Sequence, residues 1–147
     1  MEKTNLKTPV RNILLFIAAV IMISSLNSCA LKKPFLLSSV EPAARGTVTI
    51  KSDKNKNYKI KVQVYNLAEA NRLSGVNSTY VVWMITVEKT TKNIGQIRSS
   101  TSILSKRLKA SLETKSSFKP TKIFLTIEDD PSIQSPLGQV VLSTNNF

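Results

Sequence analysis

Cys29 is the only cysteine in a chain of 147 residues, and it stands directly behind Leu26-Asn27-Ser28 at the close of an apolar run. Lys3, Lys7 and Arg11 give a positive start, and Ile13 through Leu26 is apolar except for Ser24 and Ser25. A basic start, a short apolar middle and small residues at the end are the layout of a secretory leader, and the run is short for a transmembrane helix. The thiol therefore sits where it can be modified during processing, and it has no second cysteine with which to form a disulfide. Other groups offer less. Histidine is absent, which excludes imidazole-based metal sites and Ser-His-Asp or Cys-His nucleophiles. Glu128-Asp129-Asp130 is the one acidic cluster, short of the roughly six to eight oxygens calcium takes, and with Pro131 it reads as a turn. Ser105-Lys106 could form a Ser-Lys nucleophile, but both residue types are abundant and no motif surrounds the pair. No catalytic residue and no metal ligand is assigned, and the expectation is a protein that is not an enzyme.

Leu26-Asn27-Ser28-Cys29 resembles the lipobox of bacterial lipoproteins, with Asn27 a less usual residue at its position. The resemblance implies that the Cys29 thiol takes a diacylglyceryl group, that residues 1–28 are cut away as a signal peptide, and that the new amine is acylated. The covalent lipid on Cys29 is then the only non-protein group, and the protein is held by it to a membrane of the cell envelope, facing the periplasm. Several acyl chains, at about 0.8 kcal/mol per buried CH₂, suffice for stable anchoring. An uncleaved N-terminal anchor is the alternative, and it too leaves the remainder outside the cytoplasm.

The chain has 21 Lys and Arg against 9 Asp and Glu, of which the leader holds three and one, so residues 29–147 keep 18 against 8. Outside the cytoplasm nucleic acid is not an expected partner, while anionic headgroups, envelope polymers and acidic protein faces are. Lys51, Lys54, Lys56, Lys59 and Lys61 are the candidate residues for such binding. The alternative is that lysines alternating with apolar residues only solubilise a strand face.

The organisation expected is a leader over 1–28, Cys29 with a flexible tether to residue 44, where Lys32, Lys33, Pro34 and Pro42 discourage regular structure, and a folded domain over 45–147. Lys59-Ile60-Lys61-Val62-Gln63-Val64 alternates strictly, as a half-buried strand does. Further strands fit Thr47 to Lys51, Tyr80 to Val87, Ile94 to Ser99, Lys122 to Glu128 and Gly138 to Ser143, with a loop or short helical turn over Ala68 to Ser78. Tyr80 to Val87 is apolar on both faces, which suits a central strand. Ile103 to Glu113 fits a helix by Leu104, Leu108 and Leu112 or a strand by Leu108, Ala110 and Leu112, and the β context favours the strand. The sum is an all-β fold, an Ig-like antiparallel sandwich of about seven strands. Trp83 is expected as an aromatic anchor between its sheets, the alternative being an exposed recognition residue.

Tyr80-Val81-Val82-Trp83, Asn93-Ile94-Gly95, Leu125-Thr126-Ile127-Glu128 and Ser135-Pro136-Leu137-Gly138-Gln139-Val140-Val141 follow in order. The series resembles the C-terminal extracytoplasmic domain of anti-sigma-K-type factors, in which Tyr80, Trp83, Gly95, Glu128, Pro136 and Gly138 would hold structural positions of a sandwich. The resemblance implies a sensing or docking module. Only twelve residues precede the apolar run, so the cytoplasmic helical domain that holds a sigma factor has no counterpart. The function expected is a non-catalytic, lipid-anchored envelope module that binds another envelope protein through a sheet edge or the Ala68 to Ser78 loop. A binder of anionic polymers or headgroups is the alternative, and a carboxylate or Ser-Lys hydrolase is the third.

Overall fold

The computed structural model describes residues 12–13, 15–17, 30–74, 78–98, 100–102 and 105–147. Leu26, Asn27, Ser28 and Cys29 lie outside these residues, as do the side chains of Ser105 and Lys106. Nine strands are present among them: β1 Ala30–Pro34, β2 Arg45–Ser52, β3 Tyr58–Tyr65, β4 Thr79–Thr86, β5 Thr91–Ile97, β6 Ser100–Ser102, β7 Ser105–Ser116, β8 Pro120–Glu128 and β9 Val140–Ser143, with a short helix, α1, over Ala70–Ser74 between β3 and β4; the described residues 12–13 and 15–17 are helical as well. All pairings are antiparallel, in a sheet of order β1-β2-β3-β7-β6 and a sheet of order β5-β4-β8-β9. Apart from β1, this is the Ig-type arrangement, four strands ordered A-B-E-D opposite C′-C-F-G.

The alternation that marks β3 has its expected result: Ile60, Val62 and Val64 are buried, Lys59 and Lys61 exposed. Opposite them stand Tyr80, Val82 and Met84 of β4 and Ile123, Leu125 and Ile127 of β8, all in the main core. The ambiguous Ile103 to Glu113 segment is strand from Ser105 onward. Its register sets Leu112 against Val62 and Ala110 against Val64, so the two-residue period governs.

Two expectations need correction. The tether over residues 29–44 is, from Ala30 onward, part of the sandwich. Ala30–Pro34 pairs along β2 from Lys51 to Thr47. Phe35 is buried, and its N–H donates to Gly46 while Leu36 N–H donates to Ser143, so the segment ties both sheets. Proline is compatible with this because β1 is an edge strand, where the missing N–H faces solvent. Lys32, Lys33 and Pro34 also blunt that edge against further pairing.

The second correction concerns Trp83. It is fully buried, but on the outer face of the β5-β4-β8-β9 sheet, with Val81, Phe124, Ile85 and Ile133. Strand parity explains this: β4 turns Tyr80, Val82 and Met84 toward the other sheet, so Trp83 must face away. Tyr80 takes the inter-sheet aromatic position, its hydroxyl donating to the Ala68 carbonyl at 3.0 Å. Burial pushes that phenol well above its usual range, with the charge of Glu41 adding to the effect.

Candidate functional site

The β8–β9 connection covers Trp83, and a short chain of hydrogen bonds holds it there. The indole N–H donates to Thr126 Oγ1 at 2.7 Å, and the Thr126 hydroxyl donates to Glu128 Oε1 at 2.6 Å. Glu128, itself buried, accepts from the backbone N–H groups of Leu137 at 3.1 Å and Gly138 at 3.0 Å. From the other side Asn93 Nδ2 donates to the carbonyls of Pro131 and Ile133, each at 2.9 Å. Asn93 can reach because β5 bulges at Ile94, so Val82 faces Gly95 and Trp83 faces Asn93. Gly95 adopts φ 132° there, a region open to glycine and strained for other residues. Trp83 and Phe124 stack with centroids 6.3 Å apart.

Four of the positions singled out in the sequence thus act together. Trp83, Gly95, Glu128 and Gly138 clamp one loop onto one sheet, while Tyr80 serves the other face. The sequence does not display these residues as a network; Thr126 is the available sign of it, since a polar residue between Leu125 and Ile127 on a strand buried on both faces requires a partner. The acidic cluster is dispersed among separate partners. Glu128 turns inward, Asp129 accepts from the Ser78 hydroxyl, and Asp130 accepts from the Ser132 hydroxyl and backbone N–H. Those two bonds hold the Asp130 carboxyl below its usual range, the hydroxyl contributing most. Among the described residues no group of three potential metal ligands converges.

A concavity of about 500 Å3 opens at one end of the sandwich between the β3–β4 connection and the end of β5, and the clamped loop contributes Pro131 to it. Glu69, Asn71, Ser78, Gln96, Arg98 and Pro131 are among its lining residues. In Ig domains the corresponding B–C and F–G loops share one end of the sandwich, and in variable domains they carry recognition. The shape alone is a fold-level analogy. Its polar groups are partly committed: Arg72 holds Glu69 at 3.8 Å and Tyr80 bonds Ala68. Thr79, also in the lining, keeps a buried hydroxyl with no hydrogen-bond partner among the described residues. An unmade buried bond costs about 1–3 kcal/mol, so Thr79→Val should raise stability by about 1 kcal/mol in urea unfolding.

The five candidate lysines separate into two groups. Lys51, Lys59 and Lys61 project from the outer face of β2 and β3, with Lys51 directly opposite Lys59. Glu113 on β7 pairs with Lys59 at 2.6 Å, which lowers the Glu113 carboxyl below its usual range. Lys54 and Lys56 instead occupy the β2–β3 turn. There Asp53 accepts from the N–H groups of Asn55 and Asn57, and the Asn57 bond is the main reason its carboxyl is also lowered. No protein-family model matches the chain, and neither a curated protein nor a solved structure matches it.

Proposed function

We propose that this protein is a non-catalytic module, anchored in the cell envelope through lipid on Cys29, that docks another envelope protein at the concavity between the β3–β4 connection and the end of β5, beside Pro131. One observation carries the reading: the chain enters the sandwich at the end opposite that concavity. β2 begins at Arg45, which pairs with Tyr65 just before the β3–β4 connection. A chain entering at β2 would be tied to the concave end. Strand β1 reverses this by returning the first described residue of the domain, Ala30, to the level of Lys51 at the far end. An anchor at Cys29 then leaves the concavity turned away from the bilayer. The clamp on the β8–β9 loop supports recognition as well, since a rigid loop loses less entropy on binding.

Crosslinking in native cells tests the reading. A photoreactive residue at Gln96, in the concavity, should capture one discrete envelope protein in moderate salt, while one at Lys61 should not. Cys29→Ser should abolish the lipid-bearing N-terminal peptide in mass spectra of the membrane fraction and leave residues 1–28 attached. Absence of a discrete product at Gln96 from correctly lipidated protein would reject the docking role. An unlipidated Cys29 in the wild-type protein would reject the anchor.

A further inference from the structure

The end of the sandwich that bears Ala30 has a composition of its own. The strand registers bring the β2–β3 turn (Asp53 to Asn57), the β7–β8 connection (Ser117 to Lys119) and the β4–β5 turn (Val87 to Thr90) to this one end. Val87 N–H donates to the Lys119 carbonyl at 3.1 Å, which joins two of these connections. The end carries Lys51, Lys54, Lys56, Lys89, Lys115 and Lys119 against Asp53, Glu88 and Glu113. Asp53 is engaged by its own turn and Glu113 by Lys59. Large apolar side chains stand among the lysines: Leu31 is 42% exposed, Val87 56% and Phe118 40%. The Lys92 ammonium lies 4.1 Å from the Phe118 ring centroid, covering one face of the ring. A recess of about 250 Å3 opens here as well, lined by Leu31, Ile50, Tyr58, Pro120 and Phe147 with Lys119. The opposite end holds Glu41, Glu69, Asp129 and Asp130 against Arg45, Arg72, Arg98 and Lys109, so its described charges balance while the Ala30 end is net basic.

We infer that the Ala30 end rests on anionic lipid headgroups, with the turn lysines on phosphates and Leu31, Val87 and Phe118 entering the interface between headgroups and acyl chains. The inference deepens the anchored reading and rests on it. Cys29 immediately precedes β1, so lipid on that residue would hold this end within one residue of the bilayer, leaving no tether to let the domain tumble. Lysines are attracted to an anionic surface and apolar side chains among them add contact area, whereas the charge-balanced far end gains no such attraction. The docking concavity is thereby oriented outward as well as displaced outward.

The test uses the full chain in vesicles of phosphatidylcholine alone and of phosphatidylcholine with one-third phosphatidylglycerol, footprinted with a water-soluble amine-acetylating reagent and read by mass spectrometry. Lys54, Lys56 and Lys89 should be acetylated about fivefold more slowly on the anionic vesicles, and Lys61 at the same rate on both. Raising salt from 0.1 M to 0.5 M should remove the difference as the Debye length contracts from about 10 Å. In the triple variant K54Q/K56Q/K89Q, Lys119 should be labelled alike on both vesicles. Equal labelling of the wild-type turn lysines on both vesicles, protection that survives high salt, or protection concentrated on Lys61 would overturn the inference. The footprint is read only on protein recovered with each vesicle type, so it reports orientation. A failed anchor shows separately, as protein absent from the vesicle fraction.

Discussion

Trp83→Ala is expected to lower the unfolding free energy by about 3–5 kcal/mol, the range for deleting a buried aromatic side chain. Two effects combine. The indole is completely buried and stacks on Phe124 under Ile133, so its removal leaves a cavity between the sheet and the β8–β9 connection. The indole N–H is also the first donor of the Trp83–Thr126–Glu128 chain. Trp83→Phe separates the effects. It retains a ring against Phe124 and deletes the donor, yet the Thr126 hydroxyl can still donate to Glu128, so its cost should be clearly smaller than that of alanine. Thr126→Val removes the middle link without opening a large cavity. A double-mutant cycle between Trp83→Phe and Thr126→Val in urea, followed by circular dichroism, should show a coupling of about 0.5–3 kcal/mol, as for residues within one network. Additive losses would mean that the indole contributes by packing alone.

The two corrected expectations show what a sequence can label and what it cannot. Strand β3 was legible because its two faces differ chemically: Ile60, Val62 and Val64 against Lys59, Lys61 and Gln63. Strand β4 carries no such label. Its residues are apolar on both faces, so periodicity identifies a strand covered twice without saying which side Trp83 occupies. The answer depends on the covering loop, whose attachment through Asn93 and Glu128 lies 38 and 10 residues away along the chain from the atoms it binds. The tether failed for a different reason. Lys32, Lys33 and Pro34 are residues of both a linker and a protected edge strand, and the pairing of Ala30–Pro34 along β2 with the burial of Phe35 distinguishes the two. Segment 103–113 fits both periods by its own residues; the β context favours the strand, and the pairing of Ala110 and Leu112 with Val64 and Val62 bears that out from Ser105 onward. The basic character of the Ala30 end is only partly legible: Lys51, Lys54 and Lys56 are neighbours in the sequence, whereas Lys89 and Lys119 belong to other connections that join them only once the strands are paired. The concavity is likewise a product of pairing, because Asn71, Arg98 and Pro131 come from separate connections.

Gly138→Ala should be the most damaging single methyl group that can be added to the β8–β9 connection. A Cβ at residue 138 would fall 1.6 Å from the Ile127 carbonyl oxygen and 2.8 Å from its carbon, and both are backbone atoms that cannot rotate aside. The loop must therefore lift. Lifting breaks the bonds from Gly138 N–H to the two Glu128 carboxylate oxygens, each 3.0 Å, and strains the neighbouring bond from Ile127 N–H to the Gln139 carbonyl. Glu128 would then be a buried carboxylate with fewer donors, at a cost of about 1–3 kcal/mol or more for the lost charged-group bonds. Partial exposure of the Trp83 cluster adds to it, so a total loss above about 3 kcal/mol is expected, in the range that marks a specific structural fault. Leu137→Ala is the control. Leu137 is 81% exposed, and truncating it leaves its backbone N–H on Glu128 intact, so the change should stay within about 0.5 kcal/mol. Hydrogen exchange locates the damage: Leu142 on the edge strand β9 should exchange early in Gly138→Ala, while Val62 on β3 keeps its protection relative to the remaining global stability. Uniform acceleration at both positions would show that the clamp and the main core unfold as one unit. In that case the β8–β9 connection would belong to the folding unit of the whole sandwich, and the concavity it borders could not be loosened without melting the domain.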